Sequence, residues 1–123
     1  MAKIEITKEE LLDSYDWGEV FGEGSGGNCD SQTDAIPDNA EIDTTPPKRS
    51  DVEEIIAAVN GENDSDEWIG VFRLRDGRWL VASGSCDYTG WDCQAGNCLQ
   101  VAQNLENIVS YGLTPQQIER LDL

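Results

Sequence analysis

Apolar side chains recur along this 123-residue chain at two different periods, and the change of period divides it into helical and extended stretches. Three helix starts share one device. Thr7 with Glu10, Ser50 with Glu53 and Thr114 with Gln117 each place a hydroxyl and, three residues on, a Glu or Gln. In this capping box the two side chains satisfy two otherwise unpaired amides. The first start predicts a helix over about 8–16 with Leu11, Leu12 and Tyr15 on one side. The second predicts a helix over about 51–60 with Val52, Ile55, Ile56 and Val59 inward and Gly61 as its stop. The third opens a short C-terminal helix with Pro115 at the position where a missing N–H costs nothing. A further helix is predicted over about 104–111, with Leu105, Ile108 and Val109 inward and Gly112 at its end.

Between residues 68 and 85 the period falls to two, and the run RLRDGRW supplies the Asp76-Gly77 pair favoured in a two-residue hairpin loop. That loop pairs Arg75 with Arg78, Leu74 with Trp79 and Phe72 with Val81. Trp68, Phe72, Leu74, Trp79 and Val81 then line one buried face. The other face carries Ile69, Val71, Arg73, Arg75, Arg78 and Leu80 and is expected to be half exposed or covered by the acidic N-terminal half. Like charges at Arg75 and Arg78 call for nearby carboxylates. A third strand at about 97–102 brings Leu99 and Val101 into the same core. Residues 22–49, rich in Gly, Asp, Ser, Thr and Pro, fit neither period and are expected to form a long acidic loop. The expected fold is one α+β domain spanning 1–123. In it a small antiparallel sheet, the central 68–85 hairpin plus about one further strand, packs against three to four short helices.

Charge changes the picture most. The chain holds 25 acidic and 8 basic side chains and no histidine, a net charge of −17. Residues 1–67 carry 19 acids against Lys3, Lys8, Lys48 and Arg49, whereas residues 68–123 carry 6 acids against four arginines. Such a field repels nucleic acid and anionic membranes and attracts cationic surfaces. The N-terminus has acids where a signal peptide needs an apolar core, and the longest uncharged apolar run, WIGVF, is too short to span a bilayer. A cytoplasmic protein is expected, and there its four cysteines favour packing or metal over disulfides.

Three of those cysteines fall in CDYTGWDCQAGNC, residues 86–98. A zinc site would need Cys86, Cys93, Cys98 and the distant Cys29, but the intervals of six and four residues suit a thiolate claw poorly. The stretch reads better as a structural corner in which cysteines fill space, Gly90 permits a turn, Trp91 packs inward, and Asp87 and Asp92 bond turn amides. A third reading is an exposed loop with Tyr88 and Trp91 as interface anchors. The string CDYTGWDCQ, between a hairpin and the ending YGLTPQQIERL, resembles a group of small uncharacterised bacterial and phage proteins over about residues 51–121. The resemblance implies the fold of the C-terminal half and a phage or mobile-element setting. It brings no activity with it.

Catalysis lacks its players. Without histidine the usual proton shuttle near neutral pH is missing, and the acidic field opposes an activated thiolate. The run NGENDSDEW lacks the ligand spacing and central glycine of a calcium loop and reads as a solvated turn. No cofactor is expected. The expected function is a non-enzymatic binding protein whose carboxylates imitate a nucleic-acid backbone and block a basic nucleic-acid-binding host protein. An anti-restriction or anti-CRISPR protein would work in this way. The contact residues expected are Glu9, Asp13, Asp16, Glu19, Glu23, Asp30, Asp34, Asp38, Glu41, Asp43, Glu62, Asp64, Asp66 and Glu67. The alternative is a small structural or regulatory domain whose acidity is incidental.

Overall fold

A computed structural model describes residues 2–21, 33–35, 48–62, 65–87, 90–102, 104–109 and 113–123, with the backbone alone described for 33–35 and 87–98. The elements run α1 (Lys8–Asp13), α2 (Tyr15–Val20), β1 (Thr33–Ala35), β2 (Val52–Val59), β3 (Trp68–Leu74), β4 (Trp79–Asp87), β5 (Gly90–Ala102), α3 (Leu105–Asn107) and α4 (Pro115–Leu121). They form a small α+β fold around one sheet of order β1-β5-β4-β3-β2. Strands β2 to β5 are antiparallel neighbours, and β1 adds a short parallel edge, Thr33 opposite Leu99 and Ala35 opposite Val101. Within the stretch expected as a loop at 22–49, Thr33–Ala35 form a strand and Arg49–Asp51 a short helical turn, while residues 22–32 and 36–47 lie outside the described residues.

The expected helix at 51–60 is strand β2. Its apolar residues Val52, Ile55, Ile56 and Val59 have helical spacing, but all four are β-branched and sit comfortably on a pleat. Register shifts between Val52 and Glu54 and between Ile55 and Ala57 reset the alternation twice. Val52, Ile55 and Ala58 thereby join one core, while Ile56, Ala57 and Val59 join the other. Ser50 caps nothing; its carbonyl accepts from Arg75 Nε at 3.0 Å.

The β3–β4 turn is one residue longer than expected. Leu74 N donates to Arg78 O at 2.8 Å and Gly77 N to Leu74 O at 3.0 Å, which leaves Arg75, Asp76 and Gly77 as a three-residue loop with Gly77 at φ +91°. Arg73 now faces Trp79 and Phe72 faces Leu80. A one-residue slip moves every β4 side chain to the opposite face. Leu80 and Ala82 therefore lie with Trp68, Phe72 and Leu74, whereas Trp79 and Val81 lie with Ile69 and Val71. Arg75 is not set against Arg78: Arg78 binds the Asp76 carboxylate at 2.7 Å, and Arg75 reaches back to the main chain at Ser50 and Asp51.

Both faces of the sheet are buried, which makes three layers, and the Ile69 and Val71 face, expected to be half exposed or covered by the N-terminal half, is covered by the C-terminal segment. Leu11, Trp17, Val20 and Phe21 from α1 and α2 cover one face, and Ile108, Leu113, Ile118 and Leu121 from the C-terminal segment cover the other. The capping boxes at Thr7 and Thr114 form as expected, with Thr7 N donating to Glu10 Oε1 at 2.9 Å and Thr114 N to Gln117 Oε1 at 2.9 Å. The first helix, however, breaks at Ser14. That residue is extended, and its hydroxyl accepts from Trp17 N at 3.1 Å, so it starts α2 as a second N-cap. The break aims Trp17 at the core and leaves Leu12 and Tyr15 exposed, contrary to the single amphipathic face expected. The short α3 continues as a π turn through Val109.

Arg49 secures the break. Its Nη1 donates to the carbonyls of Leu11, Leu12 and Ser14 at 3.1, 3.0 and 2.9 Å, which places a cation where the end of α1 exposes unpaired oxygens. At Gly18 a Cβ would stand 3.2 Å from the Arg49 guanidinium, so the small residue leaves the arginine its seat. Gly70 serves the core in the same way, since a Cβ there would lie 2.5 Å from Phe72 Cζ and 3.2 Å from Trp17 Cη2. Trp17 and Phe72 meet edge to face at 5.8 Å over that space. Gly70→Ala should therefore lower stability by roughly 1–3 kcal/mol in urea unfolding, the usual cost of overpacking a core. An unchanged midpoint would show that Phe72 can move aside.

Candidate functional site

The sequence-predicted contact residues do not form one surface. Glu9 and Asp13 are exposed on α1, one turn apart. Asp16, also expected as a contact residue, is half-buried in α2 beyond the Ser14 break. Glu19 is a correction: it is fully buried in α2 and presents nothing to a partner. Glu62 and Asp66 are exposed in the β2–β3 connection, but Glu67 is half-buried there, its Oε1 accepting from Gln117 Nε2 at 2.6 Å. Glu23, Asp30, Asp38, Glu41, Asp43 and Asp64 lie outside the described residues. Asp34 is placed only by its backbone, opposite Gln100 in the β1–β5 ladder. Exposed acids also occur on the far layer, at Glu106, Glu119 and Asp122, so the negative charge is not confined to one side.

The basic side chains, by contrast, are mostly turned inward on the protein's own oxygens. Lys8 Nζ donates to Glu53 O at 3.1 Å, Arg49 to the end of α1, Arg75 to Ser50 O, and Arg120 to Glu67 O at 2.8 Å and Asn60 O at 3.3 Å. Arg73 lies 3.7 Å from Glu53 and 3.9 Å from Glu54, and Arg78 pairs with Asp76. Among the described residues, Glu9 and Asp13 take part in no ion pair. This uncompensated step on α1, flanked by exposed Leu12 and Tyr15, is the strongest candidate contact surface. The helical pattern around Ser14 concealed Leu12 and Tyr15, because an unbroken helix would have turned both inward.

The cysteine-rich stretch is not a corner where the chain leaves the sheet. It forms the end of the β4–β5 hairpin, beyond the last β3–β4 pair at Trp68 and Gly84. Cys86 faces Ala95 and Asp87 faces Gly90, so residues 91–94 form a wide bulge in β5. Cys86 is buried in the core as a free thiol. The backbone of Cys98 stands opposite Ser83 in the β4–β5 ladder. Among the described residues no cluster of three or more Cys, Asp or Glu is arranged to hold a metal ion. Cys29, Tyr88, and the side chains of Asp87, Trp91, Asp92, Cys93 and Cys98 lie outside the described part.

Asn60, just past β2, is a residue the sequence pattern did not single out. Its amide N donates to Glu5 Oε1 at 2.9 Å, its side-chain Oδ1 accepts from Trp17 Nε1 at 2.9 Å, and its carbonyl accepts from Arg120. The N-terminal segment, α2 and α4 converge on it. No helix among the described residues is long and apolar enough to cross a membrane. No protein-family model, curated protein or solved structure matches the chain.

Asn60→Ala leaves the buried Trp17 indole without its acceptor and should cost about 1–3 kcal/mol, the penalty for an orphaned buried donor. Chemical denaturation followed by tryptophan fluorescence measures it. A loss below a few tenths of a kcal/mol would mean that water replaces the amide.

Proposed function

We propose that this protein is a non-enzymatic inhibitor that docks on a basic nucleic-acid-binding protein by presenting carboxylates where that partner expects phosphates. The observation that carries the reading is the division of charge: six of the eight cations are engaged internally, while Glu9 and Asp13 stand exposed without ion pairs among the described residues. One helical turn separates them by about 6 Å, comparable to neighbouring phosphates on a strand. A basic groove that releases counterions when it binds phosphate gains free energy from such a surface in the same way. Leu12 and Tyr15 would add apolar contact beside the charges, as the desolvated centre of an interface requires. Counter-defence by a phage protein, against restriction or CRISPR enzymes, is the setting that suits this chemistry.

A second reading draws on Glu106, Glu119 and Asp122. Carboxylates on the opposite layer favour a small regulatory domain whose acidity serves solubility alone.

Affinity capture from a bacterial lysate at low ionic strength separates the two. Retention of a nucleic-acid enzyme that added duplex DNA displaces supports mimicry, whereas retention indifferent to both DNA and salt refutes it. With a partner in hand, Glu9→Lys combined with Asp13→Lys should slow association by about tenfold or more. Stability should change by no more than about 0.5 kcal/mol, as is usual for surface substitutions.

A further inference from the structure

A polar cleft of ≈ 390 Å³ opens beside Asn60, on the side of the molecule where the N-terminal segment, the β2–β3 connection and α4 meet. Lys3 and Arg120 line it together with Glu5, Glu62 and Asp66. Groups of opposite sign this close on a surface ordinarily close up into ion pairs. Here, among the described residues, none of the five forms one. Two of the five are committed to the main chain instead. Arg120 is anchored to the carbonyls of Glu67 and Asn60, and Glu5 is held by the Asn60 amide. Lys3 is fixed at its main chain, with its N donating to Leu121 O and its carbonyl accepting from Ala58 N. Gly61 brings the two sides of the β2–β3 connection together, since a Cβ there would stand 2.4 Å from Asp66 O. The cleft is thus lined by charges of both signs, with Arg120 and Glu5 anchored and the side chains of Lys3, Glu62 and Asp66 in no ion pair among the described residues.

We propose that this cleft binds a free α-amino acid, its carboxylate toward Lys3 and Arg120 and its ammonium toward Glu62 and Asp66. The volume falls within the range of small-molecule sites and exceeds what one such ligand fills, so a side chain is accommodated as well. A ligand carrying a single charge would satisfy one half of the lining and be repelled by the other. A polyamine would meet the acids but also the two cations. The cleft shares no lining residue with the α1 surface, and its ligand does not depend on the role given to that surface.

The test uses the full chain labelled with ¹⁵N. Each of the twenty free amino acids is screened by thermal shift, and those that raise the midpoint are titrated by NMR, with acetate, methylammonium and spermidine as controls. At least one amino acid should give saturable shifts centred on the amides of Asn60, Gly61 and Arg120, while acetate and methylammonium give none. Lys3→Gln and Asp66→Asn each remove one charge from a side chain that makes no hydrogen bond or ion pair among the described residues. Each should weaken binding at least about tenfold, one charged hydrogen bond's worth, without moving the midpoint of the free protein. If one variant fails to fold, the other carries the comparison. Absence of saturable shifts at about 10 mM, above the weakest affinities of interest, overturns the proposal. So does an equal response to acetate or methylammonium, or binding of spermidine in place of any amino acid.

Discussion

The fold depends on joining two helical layers to one sheet, and Asn60 is a point where hydrogen bonds from both layers converge. A sheet that is apolar on both faces must be covered twice, and the helices available here have six, six, three and seven residues. Helices of that length have little stability of their own and are held by what they pack against. Asn60 stands at the end of β2, between the layers, and its three hydrogen bonds run to Glu5, to Trp17 of α2 and to Arg120 of α4. Trp17 in turn packs against Phe72 on one face, while α4 buries Leu121 on the other. Loosening either layer withdraws a partner from Asn60, so the two are coupled although the sheet separates them.

How much of this was written in the chain depends on the range of the interaction. Capping boxes are local, and those at Thr7 and Thr114 form with the partners their spacing implies. The 68–85 hairpin likewise follows from its alternation and its Asp-Gly pair, but the choice between two and three loop residues turns on where Gly77 takes its positive φ. That choice set the face of Trp79 and Val81. Strand β2 misled because two bulges can give an extended chain the spacing of a helix, and bulges arise from pairing with β3. Ser50 and Glu53 have the composition of a capping box, yet β-branched residues at 52, 55, 56 and 59 and pairing with Leu74 to Ile69 prevailed.

The candidate contact surface was legible in kind but not in membership. Counting acids located the excess; it could not tell Glu19, buried in α2, from Glu9, exposed on α1. The distinction arises at Ser14, where the helix restarts and turns the residues of α2 to new directions. Asn60 was invisible for a different reason: its partners stand 43, 55 and 60 residues away. No local pattern encodes such a junction.

The treatment of the cations bears on what the acids can do. A carboxylate already paired with a lysine or arginine must lose that pair before it can meet a partner, and the exchange gains little. Here Lys8, Arg49, Arg75 and Arg120 donate to main-chain carbonyls, which closes turns and helix ends. Arg78 neutralises only Asp76, within its own turn. Glu9 and Asp13 thus stand at the surface in no ion pair among the described residues, and salt screens their field. A cationic partner approaching them has solvent ions to displace and no internal salt bridge to break. Because Lys8, Arg75 and Arg120 serve the backbone, they do not compete for the carboxylates of Glu9 and Asp13.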